Sequence, residues 1–82
     1  MNIIKSIKNQ KAFKQLLKEV PADNTSVLET ESGLVVRLTM LNREATVNFN
    51  VLGVVSTSLK VNSVEQIKRT SLSTLIKVWN NF

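Results

Sequence analysis

Carboxylates supply the only close pair of side chains in this sequence that could do acid–base chemistry together. Glu29 and Glu31 are separated by one residue, so on a β-strand they would lie on the same face. The chain has no histidine and no cysteine, which removes the commonest general base and the thiolate nucleophile. The serine and threonine hydroxyls therefore lack a partner for a familiar catalytic dyad. Charged side chains that protect a solvated edge strand are the better interpretation of Glu29 and Glu31.

The two glycines do not stand in a phosphate-binding pattern. Gly33 and Gly53 are isolated, and neither has the spacing of a P-loop or of a dinucleotide-binding fingerprint. The sequence therefore predicts no catalytic, cofactor-binding or metal-binding residue, and no cofactor. We expect a protein that is not an enzyme.

Positive charge is concentrated at the two ends of the chain. The formal net charge of +5 is made up of +4 in residues 1–20, −2 in residues 21–59 and +3 in residues 60–82. Such a surface could bind nucleic acid, an anionic membrane or an acidic protein, or it could simply be solvated lysines on two helices. The length predicts a single domain, 1–82, with a small core, because a chain this short buries only about 60–65% of its unfolded surface.

Targeting signals are not evident in the sequence. No apolar run approaches the roughly 20 residues that span a bilayer. The N-terminus lacks the apolar core and cleavage site of a secretory signal, and its lysines only faintly resemble a mitochondrial presequence.

Alternation of apolar and polar residues predicts a β-hairpin over residues 34–51. A two-residue turn at Asn42-Arg43 would pair Val36 with Phe49 and Leu34 with Val51. The apolar side chains of both strands would then lie on one face of an antiparallel sheet.

Two further strands are predicted beside this hairpin. Residues 27–30 would join it through a three-residue loop with Gly33 left-handed, which would direct Leu28 into the core. Residues 54–61 would form the fourth strand. Its inward set is predicted as Val55, Thr57, Leu59 and Val61.

Amphipathic periodicity predicts a helix at each end of the chain. Residues 3–20 would be helical, and Pro21 would end the helix. Because Ile3, Ile4 and Ile7 do not continue the apolar stripe of the later residues, either the helix bends near Asn9-Gln10 or these isoleucines contact something else. The last helix would begin at Ser63, whose spacing to Gln66 fits a capping box. Its apolar side chains spread over about half of its circumference, so one edge could bind a partner, or the small domain could bury the whole arc.

These elements predict an α+β fold in the order α-β-β-β-β-α, with three to four antiparallel strands flanked by two helices. The wide apolar arc and the lysines of the first helix supply the candidate partner-binding residues. They are Ile67, Val78, Trp79, Phe82, Lys11, Lys14 and Lys18.

Nucleic-acid binding is the alternative function. The helices are basic, and one face of the predicted sheet is polar. However, the chain has no tyrosine and Phe49 lies on the predicted core face, whereas single-strand binders stack bases on exposed aromatic rings. Binding to a protein is therefore the favoured interpretation.

The opening MNIIKSIKNQKAFKQLLKEV, the close LSTLIKVWNNF and the short length resemble the RIII family of cytoplasmic antiholins of T-even bacteriophages. The resemblance implies a small cytoplasmic protein of the infected bacterium. It would bind the cytosolic domain of the phage holin, near the membrane, and delay hole formation. No binding residue is transferred, and the oligomeric state stays open, a homo-oligomer included. KAFKQLLKEV and REATVNFNV are also similar to the acidic multi-ligand proteins of the mitochondrial matrix, which are much longer and strongly acidic.

Overall fold

A five-stranded antiparallel sheet with helices on one face forms the core of the protein. The structure is a computed structural model and describes residues 3–68 and 71–81. Its elements are α1 (Ile3–Lys8), α2 (Lys11–Glu19), β1 (Asn24–Glu29), β2 (Leu34–Met40), β3 (Arg43–Asn50), β4 (Gly53–Val61), β5 (Val64–Lys68) and α3 (Leu72–Asn80). Each strand pairs with the next in the chain, so the sheet is a meander in the order β1-β2-β3-β4-β5. The α+β class is confirmed, with five strands rather than three to four.

The core lies between the helices and one face of the central strands. Alternate residues of β2 and β3 are buried there, as the pattern predicted, because successive side chains of a strand point to opposite faces. The rings of Phe13 and Phe49 meet edge to face with their centroids 5.5 Å apart. The fully buried large side chains are Trp79, Ile7, Leu16, Leu34, Leu38, Leu59, Leu75, Val36 and Val47.

The predicted register of the β2–β3 hairpin is wrong by two residues. Val36 pairs with Val47 rather than with Phe49, because the turn is formed by Leu41 and Asn42. A shift of two positions keeps each side chain on its predicted face, so the core residues were identified correctly despite the error. Val51, expected to extend the hairpin, lies instead in the β3–β4 turn and is exposed.

Positive backbone φ angles explain where two of the turns lie. Leu41 has a φ of 55°, and Asn62 and Ser63 have φ angles of 54° and 65°. Asn62-Ser63 is a turn with two positive φ angles and Leu41-Asn42 a turn with one, at its first residue; both patterns match the right-handed twist of hairpin strands. Asn42 joins the two turns by donating from its side-chain amide to Oδ1 of Asn62 over 2.8 Å. Neither turn contains a glycine, which is why the first was predicted one residue too late, at Asn42-Arg43, and the second was not predicted.

Gly33 is required by a close approach between strands, and the left-handed conformation predicted for it is wrong. A Cβ atom on Gly33 would lie 1.9 Å from the backbone oxygen of Phe49. The connection from β1 is one residue longer than predicted, so Leu28 pairs with Val35. Leu28 therefore points away from the core and is 66% exposed, which corrects its predicted burial.

A bulge in β4 explains why one of its four predicted core-facing residues is exposed. The β3–β4 register shifts between Asn48 and Phe49, so Val55 has no partner in the ladder. Val55 is exposed, and Val54 packs against the core in its place. The remaining predicted members, Thr57, Leu59 and Val61, are buried as expected.

The N-terminal helix is broken at Asn9 and Gln10, as one of the two alternatives predicted. The Gln10 side-chain amide donates to the backbone oxygen of Asn50 over 2.8 Å, which anchors the break to the end of β3. Val20 is extended and precedes Pro21, as expected for a helix that ends before proline.

The last helix begins later than predicted. Ser71 caps α3 by accepting from the Thr74 backbone N–H over 3.3 Å, whereas Ser63 lies in the β4–β5 turn. The spacing of Val64 and Ile67 is typical of a helix, but a bulge in β5 places both opposite the core-facing positions of β4. The predicted capping box at Ser63 is therefore wrong.

Candidate protein-binding surface

Trp79 is a core residue and is not accessible to a partner. It is fully buried, and its indole N–H donates to the backbone oxygen of Pro21 over 3.0 Å. The guanidinium carbon of Arg43 lies 5.9 Å from the centre of the indole ring, and Arg43 Nη1 donates to the Trp79 backbone oxygen over 3.2 Å. The assignment of Trp79 as a partner-binding residue is corrected, because the small domain needs this large side chain for its own core.

The apolar candidates Ile67 and Val78 lie on different elements. Val78 is partly buried and packs against the core. Ile67 lies on β5, opposite Leu59, and not on the last helix. Phe82 lies outside the described residues. Ile67 and Val78 therefore do not form the free apolar edge predicted for the last helix.

The three lysines predicted on the first helix do form a surface. Lys11, Lys14 and Lys18 are spaced by three and four residues, so they lie along one side of α2 and are all exposed. The opposite side of α2 is held against the core by Phe13 and Leu16, which fixes the direction of the lysines.

An exposed apolar side chain borders this row of lysines. Leu17, between Lys14 and Lys18 along the helix, is 45% exposed. We call Lys11, Lys14, Leu17 and Lys18 the basic α2 surface. None of its lysines makes an ion pair with another described residue, whereas Arg37 and Glu44 on the sheet do pair. The surface thus offers cationic groups beside an apolar contact.

Stacking of nucleic-acid bases has little support among the described residues. Phe13, Phe49 and Trp79, the aromatic side chains of residues 3–68 and 71–81, are all at least 95% buried. A basic surface without an exposed ring can contact phosphates but cannot hold unpaired bases by stacking.

The edge strand β1 is a second exposed surface; Glu29 and Glu31 predicted a solvated edge strand there, but Leu28 was expected in the core. All of its residues are exposed, including Val27 and Leu28. The predicted β1–β2 connection was one residue too short, and this register directed Leu28 into the core, so the full exposure of β1 was not predicted. Only the length of the connection, residues 30–33 rather than 31–33, could have corrected it.

Metal and membrane features can be stated for the described part of the chain. Within residues 3–68 and 71–81, no three acidic side chains lie close enough to hold a metal ion. No helix formed by those residues is both long enough and apolar enough to cross a bilayer.

No protein-family model matches the chain, and no curated protein or solved structure is similar enough to be matched to it.

Proposed function

We propose that this chain is a non-enzymatic lysis-inhibition protein of the antiholin type, acting in the cytoplasm of a phage-infected bacterium. It binds the cytosolic domain of the holin through the basic α2 surface and delays hole formation. The observation that carries the binding role is the row of Lys11, Lys14 and Lys18, exposed beside Leu17 and without ionic partners among the described residues. The antiholin assignment is supported by the resemblance of both ends of the sequence to that family.

The geometry suits an amphipathic partner segment with acidic residues. Leu17 would pack on the apolar side of such a segment, and the lysines would pair with carboxylates along its border. Exposed ion pairs contribute only modestly to affinity, so the lysines mainly accelerate association and select the partner. The same positive charge favours approach to the anionic inner surface of the membrane, where the holin resides.

Inhibition of hole formation then follows from binding to the cytosolic domain of the holin. A cytosolic domain held by this protein cannot make the contacts with other holin molecules that hole formation requires. The delay should therefore depend on the amount of bound inhibitor and end when the holin exceeds it.

Co-purification from infected cells, with and without nuclease, tests the proposal. We expect the tagged chain to retain the holin after nuclease treatment, and Leu17→Asp to lose it. Leu52→Asp is the matched control, because Leu52 is exposed in the β3–β4 turn, away from α2. Loss of the holin on nuclease treatment, or equal retention by both variants, would contradict the proposal.

A small nucleic-acid-binding protein is the second candidate, favoured by the same lysine row. Phosphate contacts would make such binding fall steeply with salt through counterion release. We expect no DNA or RNA binding tighter than about micromolar at physiological salt, the range of non-specific contacts. Tight, salt-sensitive gel shifts would reverse the order of the two candidates.

A further inference from the structure

One edge of the sheet is protected against pairing with another strand only by the negative charges of Glu29 and the neighbouring Glu31. β1 pairs with β2 over six consecutive positions without a register shift, and all of its residues are exposed. It contains no proline, lysine or arginine. Proteins usually protect an edge strand with such residues or with a bulge.

The opposite edge shows those protective features. β5 contains the basic residue Lys68, and its pairing with β4 is interrupted by a register shift. A bulge twists an edge and breaks the row of backbone groups that a new strand would need. The two edges of this sheet are therefore not equivalent.

The backbone groups of β1 that point outward can be assigned from its pairing. Thr30 N–H donates to the Gly33 oxygen, and antiparallel strands bond through alternate residues. The N–H and C=O groups directed away from β2 therefore belong to Thr25, Val27 and Glu29. They form a regular ladder to which an extended segment can bond.

The charge around this edge is opposite to that of the whole chain. Asp23, Glu29 and Glu31 are exposed, and residues 21–36 contain no lysine or arginine. The next basic residue, Arg37, already pairs with Glu44. β1 is therefore an acidic edge on a protein whose net charge is +5.

We propose that β1 binds an extended segment of another polypeptide by strand addition, and that this segment has basic residues flanking a centre rich in β-branched residues. Main-chain bonds to the outward groups of β1 would hold the segment, and Val27 and Leu28 would contact it on the two faces of the sheet. The acidic residues around β1 select a basic segment. The inference goes beyond the proposed function, which uses the basic α2 surface.

A second copy of this chain is a poorer occupant than a basic segment. Antiparallel self-pairing about a two-fold axis at Val27 would bring Asp23 of each copy towards Glu31 of the other. Moving the axis by one residue to Ser26 would place Asp23 opposite Glu29 instead. Like charges directly opposite each other on paired strands are destabilising, so self-pairing is disfavoured in both registers.

Fluorescence anisotropy with the labelled peptide KKTVTVTVKK tests the proposal, with EETVTVTVEE as the charge-reversed probe. We expect saturable binding of the basic peptide and at least tenfold weaker binding of the acidic one, the ratio that about two lost charge pairs would give. Isotope-edited infrared spectra of the bound peptide should show strand pairing. Equal binding of both peptides, or no binding of either, would overturn the proposal.

Two sets of variants locate the binding site. Val27→Pro removes an outward N–H at a position where an edge strand tolerates proline, and it should abolish peptide binding. Glu29→Gln with Glu31→Gln should weaken binding about fivefold, whereas Glu19→Gln with Glu65→Gln makes the same charge change elsewhere and should leave it unaltered. If the two double glutamine variants weakened peptide binding equally, the assignment of the binding site to β1 would be overturned, even if Val27→Pro failed to fold. Sedimentation showing a dimer that Val27→Pro dissociates would overturn the choice of occupant.

Discussion

The indole N–H of Trp79 donates a hydrogen bond to the backbone oxygen of Pro21 over 3.0 Å. This bond joins the last helix to the segment that follows α2. A second bond, from the Asn80 side-chain amide to the Glu19 oxygen over 3.2 Å, joins the same two helices. The position of the basic α2 surface therefore depends on residues near the other end of the chain.

Replacement of Trp79 by phenylalanine tests this link. Trp79→Phe removes the buried donor and part of the packing, so it should lower the free energy of unfolding by about 2–3 kcal/mol. Asn80→Ala, at an exposed bond, should lower it by no more than about 1 kcal/mol. Urea denaturation measures both, and equal losses would contradict the central role of Trp79.

Gly33 should be intolerant of any side chain. Gly33→Ala would place its Cβ against the Phe49 backbone oxygen, which cannot move without distorting β3. We expect a loss of about 3 kcal/mol or more in the free energy of unfolding. Ser32→Ala, at the neighbouring exposed position, should stay within about 0.5 kcal/mol of wild type. A Gly33→Ala protein as stable as the Ser32→Ala control would refute the close approach.

Leu41 offers a stabilising substitution. A leucine with positive φ costs roughly 1–2 kcal/mol relative to its ordinary conformation, and Leu41 is 86% exposed, so little packing is lost with it. Leu41→Gly should therefore raise the melting temperature by a few degrees. Leu52→Gly, which changes an exposed turn residue without positive φ, should not raise it. A lower melting temperature for Leu41→Gly would argue against the Leu41-Asn42 turn.

The bulge in β4 and the core face of β3 can be tested together. Phe49→Ala removes a buried ring that packs on Phe13, and should cost about 3–5 kcal/mol. For a domain of this size, that is a large part of the total stability. Val55→Ala should cost less than about 1 kcal/mol, because the bulge exposes Val55. A Val55→Ala loss comparable to that of a core valine would show that the bulge is misplaced.

The core faces could be predicted from the sequence because strand alternation is a local property. Val36, Val47 and Leu59 were assigned to the correct face from apolar periodicity alone. The exact pairing of the strands could not be predicted, because turns form at Leu41 and at Ser63. Leucine and serine rarely adopt positive φ angles. Val64 and Ile67 were taken for helix because a bulge gives a strand the spacing of a helix.

The candidate surface was predicted only in part, for a similar reason. Lys11, Lys14 and Lys18 follow directly from helix periodicity and lie where it predicts. Trp79 could not be separated from an interface anchor by its residue type, since tryptophan is common both in cores and at interfaces. Only its full burial in the structure decides between them.

Affinity for the purified cytosolic domain of the holin, measured by calorimetry, tests the proposed binding surface most directly. Changing Lys11, Lys14 and Lys18 to glutamine should raise the Kd about tenfold, since each exposed charge pair contributes up to about 1 kcal/mol. The matched control changes Lys8, Lys60 and Lys77, which are exposed outside that surface and carry the same total charge. We expect the control to raise the Kd less than about threefold. It loses only long-range attraction to the holin domain, which salt screens. Equal losses in the two triple variants, or wild-type affinity in the first, would contradict binding through the basic α2 surface.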